Sequence, residues 1–131
     1  MELELIPALR TLGIGLIPYS PLHLGLLAGV LETATEGHIS DDSLQHRIEA
    51  HRDQLEAYEG LCRELGAKPA DVALAWLLRN PVVSTTVVGA STTEELRADL
   101  GALSVQLDAE VVDRLDRIWP GPGEAPQAYA W

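Results

Sequence analysis

Two short apolar runs, Leu12–Ser20 and Val82–Val88, are the only stretches of this sequence that suit buried strands, and a long helix-forming segment separates them. The first is bounded by glycine and proline and does not alternate. The second is dense in β-branched residues. Both patterns suit a strand covered on its two faces. Strand, long crossover, strand, helix is the order of parallel α/β structure. A two-stranded sheet is marginal alone and leaves two open edges. The chain therefore reads as a piece of a larger α/β assembly.

The 131 residues suffice for one domain with a modest core, and 47% of them are hydrophobic. The longest apolar stretches, such as Val72–Leu78, are too short to cross a bilayer. The acidic start, Met1-Glu-Leu-Glu, does not suit a secretory signal, so a cytoplasmic protein is expected. The formal charge of −11, from 20 acidic and 9 basic residues, disfavours nucleic acid and anionic membranes as partners. Cys62, the single cysteine, has no internal disulfide partner and follows helical spacing as buried filler.

Met1–Thr11 has helical spacing, with Pro7 tolerable in a first turn. Residues 21–40 are loop-like, punctuated by Pro21, Gly25, Gly29 and Gly37, with one helical turn foreseen at Leu24–Leu27. Asp41–Leu65 is the clearest helix. Leu44, Ile48, His51, Leu55, Tyr58, Cys62 and Leu65 form one stripe, Asp41 or Asp42 can cap its start, and Gly66 ends it. Its acidic residues Glu49, Asp53, Glu56 and Glu59 read as a solvated face. A second helix from Pro69 to about Arg79 is apolar nearly all round, so deep burial is expected. Ser91-Thr-Thr-Glu94 fits a capping box opening a helix to about Leu103. Asp108 can cap a last helix with Val111, Val112, Leu115 and Trp119 on one face, stopped by Pro120-Gly-Pro-Gly123. The tail Glu124–Trp131 reads as loop, anchored by Tyr129 and Trp131.

Two places stand just beyond the C-terminal ends of the expected strands, where parallel α/β folds bind ligands. Tyr19–Gly29 is either an ordinary turn or a loop whose amides approach a phosphate. Gly89–Glu95 is either an anion site at a helix start or a helix that caps itself. The histidines His23, His38, His46 and His51 lack metal-ligand spacing, and His51 fits the apolar stripe. Neither a Walker motif nor a Gly-x-Gly-x-x-Gly fingerprint is present.

Taken together, these segments resemble the aldo-keto reductase family. Gly13-Ile-Gly-Leu-Ile-Pro-Tyr-Ser-Pro-Leu22 through Gly29 is similar to its seventh strand and following loop. Leu65–Leu78 is similar to its seventh helix, and Val87–Leu96 to its eighth strand and the turn into the last helix. The ending Ile118–Trp131 resembles a bacterial branch. The resemblance implies the C-terminal part of a (β/α)8 TIM barrel, with residues 1–131 forming a partial domain of the last two parallel strands and their helices.

The family reduces carbonyls by hydride transfer from NADPH. A whole barrel takes about 250 residues. The catalytic Asp, Tyr, Lys and His of the family come from earlier strands, so no catalytic residue is assigned here, and Tyr19 is not the catalytic tyrosine. By position, Ser20, Pro21, Leu22, Leu24 and Gly25 resemble the loop around the cofactor pyrophosphate. Gly89, Ser91 and Glu95 resemble the 2′-phosphate end, with Asp99 near the adenine. Three departures stand out: Val30 where a basic residue is common, Glu95 where Gln or Arg is common, and Asp99 where Asn is common. Their charge sets NAD beside NADP as cofactor. The resemblance thus implies the cofactor-binding portion of a reductase, inactive alone, acting on a small carbonyl when completed by the rest of the barrel. Self-association or complementation through open sheet edges is expected. The alternative is a non-catalytic nucleotide-binding or partner-binding remnant.

Overall fold

The computed structural model describes residues 2–35 and 42–122. Expectations for Asp41, Gly37, His38 and the tail with Tyr129 and Trp131 lie outside the described residues. The elements are α1 (Leu5–Leu12), α2 (Val30–Thr35), α3 (Asp42–Ala50), α4 (Arg52–Leu65), α5 (Pro69–Leu78), α6 (Thr93–Asp99), a 3₁₀ segment (Leu100–Ser104) and α7 (Ala109–Ile118).

Local chemistry sets most boundaries. Gly13 and Gly66 end α1 and α4 in left-handed conformations, with φ of 66° and 64°. Pro69 opens α5, where its missing N–H is no loss. The Asp108 carboxylate accepts the Val111 amide at 2.8 Å and caps α7. The single long helix expected over Asp41–Leu65 is broken at His51, whose amide is shared between the Arg47 and Ile48 carbonyls at 3.2 Å each. The imidazole contacts Gln54 at 2.9 Å and leans on the Trp119 ring at 5.7 Å. The apolar stripe survives the break, and Ile48, Leu55, Tyr58 and Cys62 are all buried.

Two apolar clusters hold the helices together. One joins α4, α5 and α7 through Tyr58, Leu61, Cys62, Val72, Ala73, Val111 and Leu115. The other joins the 21–29 turn and α2 to α3 and α4 through Leu26, Val30, Ile48 and Leu55. Each fully buried leucine among these contributes about 1.5–3 kcal/mol. Burial of α5 is less complete than expected: Val72–Ala75 are buried, whereas Trp76 is exposed enough for its indole to reach Asp116 at 3.2 Å.

The two expected strands meet, in the expected parallel sense, at a single bridge between Leu16 and Val83. The Leu16 amide donates to Val82 O at 2.7 Å and Leu16 O accepts from Ser84 N at 3.0 Å. The next donor in such a ladder would be residue 18, which is proline and has no N–H. Pairing resumes one residue out of register, Val87 N donating to Pro18 O at 3.1 Å. On the other side the Ile14 amide is spent on closing α1, at 3.0 Å from Leu9 O. The segments are therefore extended but form no regular strand among the described residues. Burial on two faces is also absent: Ile17 is 59% and Val87 55% exposed.

Four further expectations change. Residues 21–29 form successive turns rather than a helical turn at Leu24–Leu27, because Ser20, His23 and Leu24 are left-handed. The expected loop contains α2. The helix expected to reach Leu103 tightens to 3₁₀ geometry after Asp99. Of the supposed solvated carboxylates, Glu49, Asp53 and Glu56 are exposed. Glu59 is instead 3% exposed, and its carboxylate accepts the Leu31 amide at 3.0 Å.

Candidate functional site

A groove of about 620 Å³ opens where both extended segments end. Tyr19, Ser20, Pro21, Leu22, Leu24 and Gly25 make one wall. Val87, Val88, Gly89 and Ala90 make the floor, and Glu95 and Asp99 of α6 face them. Eight of the nine residues singled out from the sequence thus share one surface: Ser20, Pro21, Leu22, Leu24, Gly25, Gly89, Glu95 and Asp99. Ser91 does not line it. The volume falls in the range of ordinary small-molecule sites.

The first wall owes its shape to backbone conformation. His23, Leu24 and Gly25 are consecutively left-handed, with φ of 50°, 54° and 89°. Glycine adopts this freely, whereas a leucine there is strained. Sparse turn bonds stabilise it, including His23 N to Ser20 O at 3.0 Å and Leu27 N to Leu22 O at 3.1 Å. Among the described residues, the amides of Leu22, Leu24 and Gly25 donate to no protein acceptor. A run of unpaired backbone N–H groups in such a turn offers donors to an anionic oxygen.

The other wall is a self-capped helix start. Thr92, not Ser91, is the cap: its hydroxyl accepts the Glu95 amide at 3.1 Å. The Glu95 carboxylate reaches back to the amides of Ser91 at 2.6 Å and Thr92 at 3.2 Å. The expected capping box is therefore real but lies one residue later, with Glu95 in place of Glu94. Of the two readings of Gly89–Glu95, the self-capped helix is the one seen, with the Ser91 and Thr92 amides taken by this carboxylate. Asp99 is close enough to Asp71 to add to the burial that raises the Asp71 carboxyl, against the pull of Lys68. Among the described residues, no lysine or arginine lines the groove. Tyr19, Val87, Val88 and Ala90 were not among the residues chosen from sequence, although their adjacency to chosen ones was a usable signal.

A smaller, apolar cavity of about 150 Å³ lies between α4, α5 and α7. Its Tyr58 hydroxyl donates to Pro69 O. Among the described residues no cluster of His, Cys, Asp and Glu could hold a metal ion, and no helix is long and apolar enough to cross a membrane.

A parallel bridge between two extended segments thus lies beside a groove at their ends. Residues 1–120 match the model of the Aldo/keto reductase family, and the chain belongs to that family. It is 46% identical over 131 residues to "Uncharacterized oxidoreductase YrpG" of Bacillus subtilis, covering 99% of this chain and 40% of that protein. It is 32% identical over 114 residues to "Probable aldo-keto reductase 1" of Glycine max, covering 82% of this chain and 32% of the relative. It is also 32% identical over 142 residues to "Probable voltage-gated potassium channel subunit beta" of Oryza sativa subsp. japonica, covering 98% of this chain and 42% of the relative. The chain thus spans about two-fifths or less of the length of these curated relatives.

Proposed function

We propose that this chain supplies the dinucleotide-binding wall of an NAD(P)H-dependent aldo-keto reductase. The observation that carries this reading is convergence. Residues chosen only for their motif positions, far apart in sequence, line one groove, and its first wall carries three unpaired amides. Those amides suit the anionic oxygens of a pyrophosphate. The Leu16–Val83 bridge then represents the pairing of the last two strands of a (β/α)8 barrel.

Bound in the groove, the dinucleotide would supply the hydride for carbonyl reduction. This chain's part is to hold it: Ser20–Gly25 around the pyrophosphate, and Gly89, Glu95 and Asp99 toward the adenosine. Among the described residues, two carboxylates and no cation line the groove, which suits a 2′-hydroxyl better than a 2′-phosphate and favours NAD over NADP. The proton relay and the small carbonyl substrate belong to the remainder of the barrel. The exposed apolar residues Leu12, Ile14 and Ile17 offer a surface for that remainder to cover.

The purified chain should bind NADH yet reduce no generic aldehyde. Turnover by the chain alone, free of contaminating reductase, would refute the division of labour. Failure to bind either dinucleotide would refute the cofactor role and favour a partner-binding module.

A further inference from the structure

We infer that Arg47 and Glu59 form a two-point polar clamp that sets the conformation of the 20–29 turn, and are positioning residues for the groove. The inference rests on the dinucleotide reading and adds residues outside the groove that hold its wall in shape.

The turn needs outside support. Ser20, His23 and Leu24 all sit in the left-handed region, with φ of 51°, 50° and 54°. Each such residue costs about 1 kcal/mol or more, so the turn does not hold this form by local preference. Leu26 and Val30 anchor its base in the second apolar cluster. Apolar burial is non-directional, however, and fixes depth better than the orientation of peptide planes.

Orientation comes from two bonds on either side of Leu24–Gly29. Arg47 Nη1 donates to His23 O at 3.2 Å. Its Nε donates to Ser43 O at 3.4 Å, which steadies the guanidinium against α3. On the far side, Glu59 accepts the Leu31 amide at 3.0 Å. This carboxylate is 3% exposed among Tyr58, Leu61 and Cys62, and burying it is costly unless it is well bonded. The amides at the start of α2, where partial positive charge collects, offset that cost. Glu32 opposes the charged form of Glu59, while Arg63 and the Leu31 amide favour it. One clamp thus grips a carbonyl before the left-handed run ends, and the other grips an amide after it.

The full 131-residue chain tests this with E59L, E59Q, R47M and, as a control, D108A, which loses the α7 cap but neither clamp bond. Amide exchange over residues 22–31 and fluorescence titration with NADH are the two readouts. We expect E59L and R47M to lose protection across the turn and to weaken NADH binding about tenfold, as loss of one charge-assisted bond implies. E59Q keeps an acceptor oxygen and should retain both properties. D108A should lower the melting temperature and leave the turn and the affinity as in wild type. If R47M and E59L match D108A in both readouts, the clamp is refuted. If E59L does not fold, R47M against E59Q decides. If wild type binds no dinucleotide, the groove reading fails, and exchange in the turn alone judges the clamp.

Discussion

Gly15 lies so close to Ser84 that a Cβ placed on it would come within 1.9 Å of the serine hydroxyl oxygen and 3.1 Å of its Cβ. The glycine sits beside Leu16, whose main chain bridges the two extended segments at Val83. Contact this close lets the segments pair without steric cost, and it places their ends at the groove.

Gly15→Ala should therefore destabilise the chain by about 1–3 kcal/mol, the usual cost of overpacking. Ser84→Ala removes the atom at 1.9 Å and leaves the one at 3.1 Å, so the double variant should recover much of the loss. A denaturation double-mutant cycle measures this. Additive effects would show that the two residues do not meet.

Burial pushes the Cys62 thiol up to about 11, so it is almost wholly protonated at neutral pH. Its side chain is also inaccessible. Labelling by a thiol reagent at neutral pH should proceed only as fast as the chain opens, and should accelerate sharply in denaturant. Rapid labelling of the native chain would contradict the packing of α4 against α5 and α7.

Burial also holds the Glu59 carboxyl above its ordinary range, with Glu32 adding to the rise and the Leu31 amide and Arg63 opposing it. The folded chain then binds this proton more tightly than the unfolded chain does. The group's contribution is fully present below the ordinary carboxylate range and is lost as pH rises through the raised value. E59Q lacks this titration. The stability of wild type relative to E59Q should fall from acid toward neutral pH, as denaturant melts at a series of pH values would show. A constant difference, or one that grows with pH, would contradict the burial.

Glu95 combines a cap with a charge, and two substitutions separate them. Glu95→Gln can keep the reciprocal bonds of the capping box, whereas Glu95→Ala loses the reach-back to Ser91 and Thr92. E95A should cost about 1 kcal/mol of stability, comparable to loss of a cap, and E95Q much less. E95Q should raise affinity for NADP more than for NAD, most clearly at low salt. Equal changes for both cofactors in a titration would show that Glu95 does not face the 2′ position.

Much of this was legible in the sequence where one residue type decides the outcome. Gly66, Pro69 and Asp108 mark helix ends as their chemistry requires. The chosen residues that line the groove were picked out by resemblance to the family, since their local types alone also suit an ordinary turn and a self-capped helix. Regular strands were not legible: Pro18 removes the donor that would extend the ladder past Leu16, a local veto that composition does not weigh. The cap moved from Ser91 to Thr92 because both are adequate caps and both are followed three residues later by glutamate. Glu59 was misread because its partner, the Leu31 amide, lies 28 residues away, and helical spacing cannot see it.

The most direct test of the account is a backbone-amide NMR titration of the chain with NADH. Saturable shifts are expected chiefly at Leu22, Leu24 and Gly25, whose amides have no acceptor among the described residues, and at Gly89 across the groove. Shifts should be small at Val72, Leu74 and Leu115 in the helical core. Saturable binding that leaves residues 22–25 and 89 unmoved, or no binding at all, would contradict the claim that this groove is a dinucleotide site.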